Sequence, residues 1–202
     1  MRDGGDGFLD YFWGDQNTFS ITDTEIWPVR ERWTRILFLH GGIHLRRLRG
    51  GGTRKVTAEH GAILDQFETG YSDEESPLLI SEGSSADKVA SIRSSDYLTF
   101  AHQSLASHEG GLVVFGHSLG EQDDHPVTPM QSWRGNPIAI SMRPDDDEDR
   151  VIQAKDRFRS RLSPMKDVVF FDSTTHPLGN TELAAEPPGS NLFRRLQGGS
   201  TQ

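Results

Sequence analysis

The sequence predicts an α/β fold with a mostly parallel sheet between two layers of helices. Five short apolar runs are bounded by turn residues, as is typical of strands that are buried on both faces. The runs cover residues 36–39, 78–80, 112–115, 138–140 and 168–171. Helical patterns lie between several of these runs, and strands that alternate with helices form parallel sheets.

Two of the helices are predicted by their capping residues and their spacing. Ser84 followed by Asp87 is typical of a capping box, which begins a helix, and the pattern after it stops at Gly110 and Gly111. Carboxylates at residues 145–149 precede a second helical pattern, where negative charge is favourable. The positions that follow one face of this second helix are Val151, Lys155, Phe158 and Leu162.

Composition limits the partners of the protein. The chain has 202 residues, of which 34% are hydrophobic, so one domain of ordinary size can form. A formal net charge of -9 argues against nucleic acid and anionic membranes, because both are bound through basic surfaces. No run approaches the ~18 apolar residues of a membrane span, and the N-terminus lacks a signal-peptide pattern. We predict one cytoplasmic domain over residues 1–180 and a disordered tail over residues 181–202.

Polar residues that can carry chemistry follow four of the apolar runs. In an open parallel sheet, ligands bind beyond the carboxyl ends of the strands. The four loops are therefore predicted to converge on one crevice. They contain His40-Gly41-Gly42, residues 81–84, Gly116-His117-Ser118 and residues 172–176.

The segment GHSLG at residues 116–120 has the G-x-S-x-G pattern of serine hydrolases. A serine esterase is therefore one alternative, with Asp172 and His176 as the remaining members of a catalytic triad. In such enzymes the serine leads straight into a buried helix. Residues 121–126 include three acids and a proline, which argues against a buried helix at that place.

A metal site is a second alternative. His40 and His44 are four residues apart, and imidazole and carboxylate groups suit zinc, manganese or non-haem iron. No known ligand spacing is reproduced, and the absence of cysteine excludes Cys-ligated zinc. Hydrogen bonds within the loops explain the same side chains, so we assign no metal. The further side chains considered as ligands are His117, Asp123, Asp124 and His125.

Three separated segments resemble a known family. Residues 36–45 (ILFLHGGIHL) resemble the sirtuin segment that ends a strand with the catalytic His-Gly pair. Residues 112–123 (LVVFGHSLGEQD) resemble the later sirtuin segment that lines the NAD site. Together with residues 76–105 they are similar to the bacterial domain-of-unknown-function family 4917, a distant sirtuin-like group. The resemblance implies a Rossmann-like, sirtuin-like arrangement of three layers.

The resemblance also implies a function and a set of site residues. The protein would bind NAD as substrate or ligand, and hydrolysis to nicotinamide and ADP-ribose, or ADP-ribosyl transfer, would be its activity. His40 would be the general base at the nicotinamide ribose, and Gly41 would allow close approach of the ligand. The residues that would contact the phosphates and ribose are Gly116, His117, Ser118 and Asp123. A non-catalytic nucleotide-binding or interaction module is the remaining alternative.

The chain departs from the sirtuin pattern in two ways. It has no cysteines for the sirtuin zinc module, which weakens a protein-deacetylase interpretation. It also lacks an opening strand with a Gly-rich turn, because Gly4, Gly5 and Gly7 follow no strand pattern. We therefore expect the first βα unit to lie upstream. The chain alone is expected to be poorly soluble or catalytically silent, and an extended form to bind NAD.

Overall fold

The computed structural model describes residues 7–13, 17–22, 33–69, 72–81, 83–132, 137–162 and 167–176. Helices and strands are both present, so the mixed α/β class that the sequence predicts is confirmed. The chain forms two compact units. The first contains residues 1–110 and 118–135, and the second contains residues 111–117 and 136–202.

The first unit is built on antiparallel strands. Its five-stranded sheet has the order β2-β3-β6-β5-β7, in which each pair of neighbours is antiparallel. Gly50 and Gly51 make the turn between β5 and β6 with φ of 94° and 95°, which glycine adopts without strain. A separate parallel pair joins β1 to β4. The strands are β1 (Gly7–Leu9), β2 (Phe12–Trp13), β3 (Thr18–Phe19), β4 (Trp33–Arg35), β5 (Gly41–Leu48), β6 (Thr53–Lys55) and β7 (Glu75–Leu79).

Helices of the first unit pack against this sheet and against each other. Ser84 and Asp87 form the predicted capping box at the start of the second helix, so that prediction is confirmed. Tyr97 on the third helix is fully buried, and its ring contacts Phe12 and Phe19 of the sheet. The helices are α1 (Ile63–Thr69), α2 (Ser85–Arg93), α3 (Asp96–Ala106) and α4 (Asp124–Ser132), and a 3₁₀ turn covers Ala58–His60.

The second unit contains a parallel sheet of three strands in the order β10-β9-β8. The strands are β8 (Leu112–Val114), β9 (Ile138–Met142) and β10 (Val168–Asp172), so three of the five apolar runs are confirmed as parallel strands. Helix α5 (Glu148–Leu162) connects β9 to β10 and packs on the sheet through Phe158, whose ring lies 6.3 Å from that of Phe170. A 3₁₀ turn at Ser173–Thr175 follows β10.

The prediction of parallel strands was wrong for two of the five apolar runs. The run at residues 36–39 is a loop between β4 and β5, because Leu37 and Phe38 pack into the core and Phe38 accepts a hydrogen bond from the Gly41 N–H that turns the chain. His40 therefore lies in the loop directly before β5, and the apolar run that precedes it is not a strand. The run at residues 78–80 lies at the end of β7, which pairs with β5 in the antiparallel sense. Apolar composition alone does not distinguish these cases.

Some predictions fall outside the described residues. The disordered tail at residues 181–202 and the early glycines Gly4 and Gly5 belong to this group. The prediction of one domain over residues 1–180 stays a prediction. Among the helices that the structure describes, none has the length and apolar character needed to cross a membrane.

Candidate functional site

Backbone hydrogen bonds hold the loop that carries His40 in place. The carbonyl of His40 accepts a 2.8 Å hydrogen bond from the N–H of Ile80, which continues the pairing with β7. The N–H of Phe38 donates to the hydroxyl of Tyr97 over 2.9 Å. Burial raises the pKa of Tyr97 to about 12, so its hydroxyl stays neutral. His40 therefore stands at a defined position beside α3.

Gly41 is required by packing within the first unit. Its φ is +71°, and a Cβ atom at this position would lie 2.0 Å from the carbonyl oxygen of Leu78. The close approach that Gly41 allows is therefore to the backbone of β7. A contact between Gly41 and a ligand stays a prediction.

His40 faces a second histidine that is distant in the sequence. The Nε2 atom of His40 is hydrogen-bonded to the Nε2 atom of His125, and the ring centroids are 4.6 Å apart. His125 is the second residue of α4 and is only 4% exposed. A hydrogen bond between two ring nitrogens requires one N–H and one lone pair, so at least one of the two rings is neutral.

A third histidine, His102 of α3, completes the cluster. Its Nε2 atom donates to the carbonyl of Leu39 over 3.0 Å, and its ring lies 5.9 Å from that of His125. Pro129 lies inside α4 and has no N–H to bond the carbonyl four residues earlier, which belongs to His125. The backbone of His125 lies close enough to the ring of His102 to raise the pKa of His102. Burial lowers the pKa of His102, and the backbone groups of Leu39 and His125 oppose this effect.

A largely buried ion pair lies next to the histidines. Lys88 of α2 is 8% exposed, and its Nζ atom lies 3.1 Å from Oδ1 of Asp123. Burial lowers the pKa of His125 to about 4, and the charges of His40, His102 and Lys88 act in the same direction. Asp123 opposes the change. His125 is therefore neutral at pH 7.

One atom of this cluster is buried without a hydrogen-bond partner, namely Nδ1 of His125. An unsatisfied buried polar atom costs stability, and a catalytic role is one of the reasons for which a native protein keeps such an atom. Together with the lowered pKa, it marks the surroundings of His125 as a candidate site. We call His40, His102, His125, Lys88 and Asp123 the histidine cluster.

The GHSLG segment does not have the geometry of a nucleophile elbow. Gly116 and His117 belong to the second unit, where the N–H of Gly116 donates to Oγ of Ser141 over 3.2 Å. Ser118 belongs to the first unit and is exposed, and the left-handed residue after it is Leu119, with a φ of 47°. A helix does form nearby, contrary to expectation, but it begins only at Asp124. Pro126 is tolerated because it lies in the first turn.

The other members nominated for a triad have local roles in the second unit. Oδ1 of Asp172 accepts hydrogen bonds of 2.8 Å from the N–H and the hydroxyl of Thr174. Asp172 thereby caps the start of the 3₁₀ turn. The ring of His176 lies 4.9 Å from that of Phe115. These contacts support a structural role for both residues.

Metal binding receives no support from the arrangement of side chains. Across the residues that the structure describes, no group of three or more histidine or acidic side chains is arranged to hold a metal ion. The ring of His44, the other histidine of the predicted pair, contacts the ring of Phe38, with 4.6 Å between the centroids.

Comparison with protein families is decisive for the affiliation of the chain. A family model described as "Domain of unknown function (DUF4917)" matches residues 6–178. The chain belongs to the DUF4917 family. No curated protein and no solved structure matches it. The family prediction made from the three segments is therefore confirmed, and the matched region includes the entire histidine cluster.

Two members of the histidine cluster in this DUF4917 protein were missed by sequence reasoning. Lys88 lies four residues before the buried Ile92, and His102 lies four residues after the buried Leu98. A polar residue three or four positions from a buried residue of the same helix faces the core. This spacing was the feature of the sequence that could have indicated Lys88 and His102. Asp123 was nominated as a cofactor-binding residue and His125 only as a possible metal ligand.

Proposed function

We propose that this DUF4917 protein binds NAD or a related nucleotide and hydrolyses the bond between nicotinamide and ribose, with ADP-ribosyl transfer as a variant. The observation that carries the proposal is the hydrogen bond between His40 and the buried, neutral His125. A general base must be oriented and shielded from bulk water, and the cluster provides both conditions. The three parallel strands of the second unit support the finer proposal of a Rossmann-like, sirtuin-like fold.

The proposed reaction assigns one chemical step to His40. The bond between C1′ and the nicotinamide nitrogen breaks, and nicotinamide leaves with the electron pair. A water oxygen forms the new bond to C1′. The proton released at the ribose passes to His40, which later returns it to solvent. An imidazole suits this role because its ordinary pKa lies near the working pH.

The other nominated residues would contact the nucleotide. Lys88 compensates the charge of Asp123, which reduces the repulsion between this carboxylate and the phosphates of NAD. The backbone of Gly116 has a φ of +69°, and a Cβ atom there would meet no atom within 4 Å, so the segment has space on this side. We propose contacts to the phosphates and ribose from Gly116, His117, Ser118 and Asp123.

Incubation with two substrates distinguishes the proposal from its alternatives. The protein is incubated with NAD and, separately, with a short-chain nitrophenyl ester, both as this chain and with any in-frame coding sequence before Met1 included. Release of nicotinamide supports the proposal. Nitrophenol that is released by the protein but not by Ser118→Ala indicates an esterase instead. If neither product appears but NAD raises the melting temperature, the protein is a binding module, because a ligand that binds only the folded state stabilises it.

A further inference from the structure

The contact between His40 and His125 limits how many protons the two rings can hold. Each neutral imidazole has one N–H and one lone pair. In the neutral pair, one hydrogen lies between the two Nε2 atoms. The ring that donates this hydrogen keeps a lone pair on its Nδ1 atom, and the other ring has a hydrogen on its Nδ1 atom. A first added proton fills that lone pair and leaves the hydrogen bond intact. A second added proton places hydrogens on both Nε2 atoms, and the hydrogen bond is then lost.

We propose that His40 and His125 act as one proton acceptor, in which His125 positions His40 and shares the proton that His40 receives. This inference deepens the proposed function. It rests on that function only in the statement that the proton comes from the ribose or from water at the ribose. The two residues are 85 positions apart in sequence and lie on different elements, a loop and α4. Their contact is therefore a product of the tertiary fold.

Charged and titratable groups around His125 favour one added proton over two. His40 faces it from the loop, Lys88 from α2 and His102 from α3, while Asp123 lies two residues before it in the sequence. A second positive charge on the pair would lie in a buried position beside the ammonium group of Lys88. This is the situation that lowers the pKa of His125 to about 4, with burial as the largest cause. Asp123 favours the first charge.

The shared proton gives His125 a defined part in the reaction. A hydroxyl or water at the ribose loses a proton, and its oxygen keeps the electron pair. His40 gains the proton, and the hydrogen between the Nε2 atoms moves towards His125, so the positive charge is spread over two rings. His125 acts through His40, and it is therefore a positioning residue.

Ring titration by NMR tests the inference without any substrate. The chain is labelled with ¹⁵N-histidine and titrated from pH 8 to pH 3.5. We expect the rings of His40 and His125 to change together in a first step, and again in a second step near pH 4. In His125→Gln, which keeps a polar group but cannot take the proton, His40 is expected to titrate in a single step. His108→Ala, in an exposed loop after α3, is the control and should leave both steps unchanged.

The inference is wrong if the two rings titrate independently near pH 6.5 and replacement of one leaves the other unchanged. If His125→Gln does not fold, the titration of the wild-type rings decides alone. The outcome for NAD is separate. Coupled titration of the two rings without cleavage of NAD supports this inference and contradicts the proposed function. Cleavage of NAD with independent titration of the two rings supports the proposed function and contradicts this inference. Where NAD is cleaved, His125→Gln should lower kcat, leave KM nearly unchanged and alter the pH profile.

Discussion

Lys88 and Asp123 form an ion pair beside the buried ring of His125, with 3.1 Å between Nζ and Oδ1. The side chains are 9% and 22% exposed, so water screens the pair only weakly. The pair therefore controls the charge around the histidine cluster. Its removal has consequences for stability and for the pKa of His125.

Lys88→Met tests the contribution of the buried cation. The substitution leaves Asp123 without this partner, and we expect a loss of about 2–4 kcal/mol in the free energy of unfolding, measured by urea denaturation. The matched control is Arg49→Met, which removes an exposed pair with Glu74 and should cost less than about 1 kcal/mol. The pKa of His125 should also rise in Lys88→Met, because Lys88 lowers it. Equal losses of stability in the two variants would contradict this account.

The stability of the protein should fall in mild acid because of His125. Its pKa is lowered from the ordinary value of 6.5 to about 4 in the folded state, so the unfolded chain binds the proton more tightly. The contribution of His125 is complete above pH 6.5 and is lost as the pH falls from 6.5 to 4. At one pKa unit per 1.36 kcal/mol, the loss amounts to about 3 kcal/mol.

The comparison that isolates this effect is between the wild type and His125→Gln. Carboxylates titrate in the same pH range in both proteins, so their contributions cancel in the difference. Urea denaturation at several pH values between 7 and 4 should show a steeper loss for the wild type. Parallel curves would rule out a buried, neutral His125.

Gly41→Ala should unfold the first unit or weaken it severely. The new Cβ atom would lie 2.0 Å from the carbonyl oxygen of Leu78, and the backbone has a φ of +71°. We expect a loss of about 4 kcal/mol or more in the free energy of unfolding. Gly116→Ala has a similar φ of +69° but open space, and should cost only about 1–2 kcal/mol.

Gly111→Ala is the second control for this series. Gly111 has neither a positive φ nor an atom within 4 Å of an added Cβ, so its replacement should change stability by less than about 0.5 kcal/mol. Thermal melting of the three variants gives the ranking. A Gly41→Ala protein as stable as Gly111→Ala would show that β5 and β7 do not approach each other as described.

Local features of the fold were predictable from the sequence because their causes are local. The capping box at Ser84 depends on residues three positions apart, and the strands of the second unit coincide with apolar runs. The loop at residues 36–39 was predicted as a strand because buried loops and buried strands have the same composition. Its conformation depends on the contact with Tyr97, which is 59 residues away from Phe38.

The candidate site was predictable only in part for the same reason. His40 and Asp123 were nominated from short motifs. The bond between His40 and His125 spans 85 residues, and the pair of Lys88 and Asp123 spans 35, so no spacing in the sequence indicates them. Only the packing of α4 against α2 and α3 brings these side chains together.

Nicotinamide release from NAD by the wild type and by His40→Ala tests the central claim most directly. The assay uses this chain and the version that includes any in-frame coding sequence before Met1, with His108→Ala as the control. In the version that cleaves NAD, we expect the wild type and the control to release nicotinamide at the same rate, and His40→Ala to be slower by about 100-fold or more, as is typical when a general base is lost. An unchanged rate in His40→Ala, or neither cleavage nor binding of NAD by any version, would contradict the account.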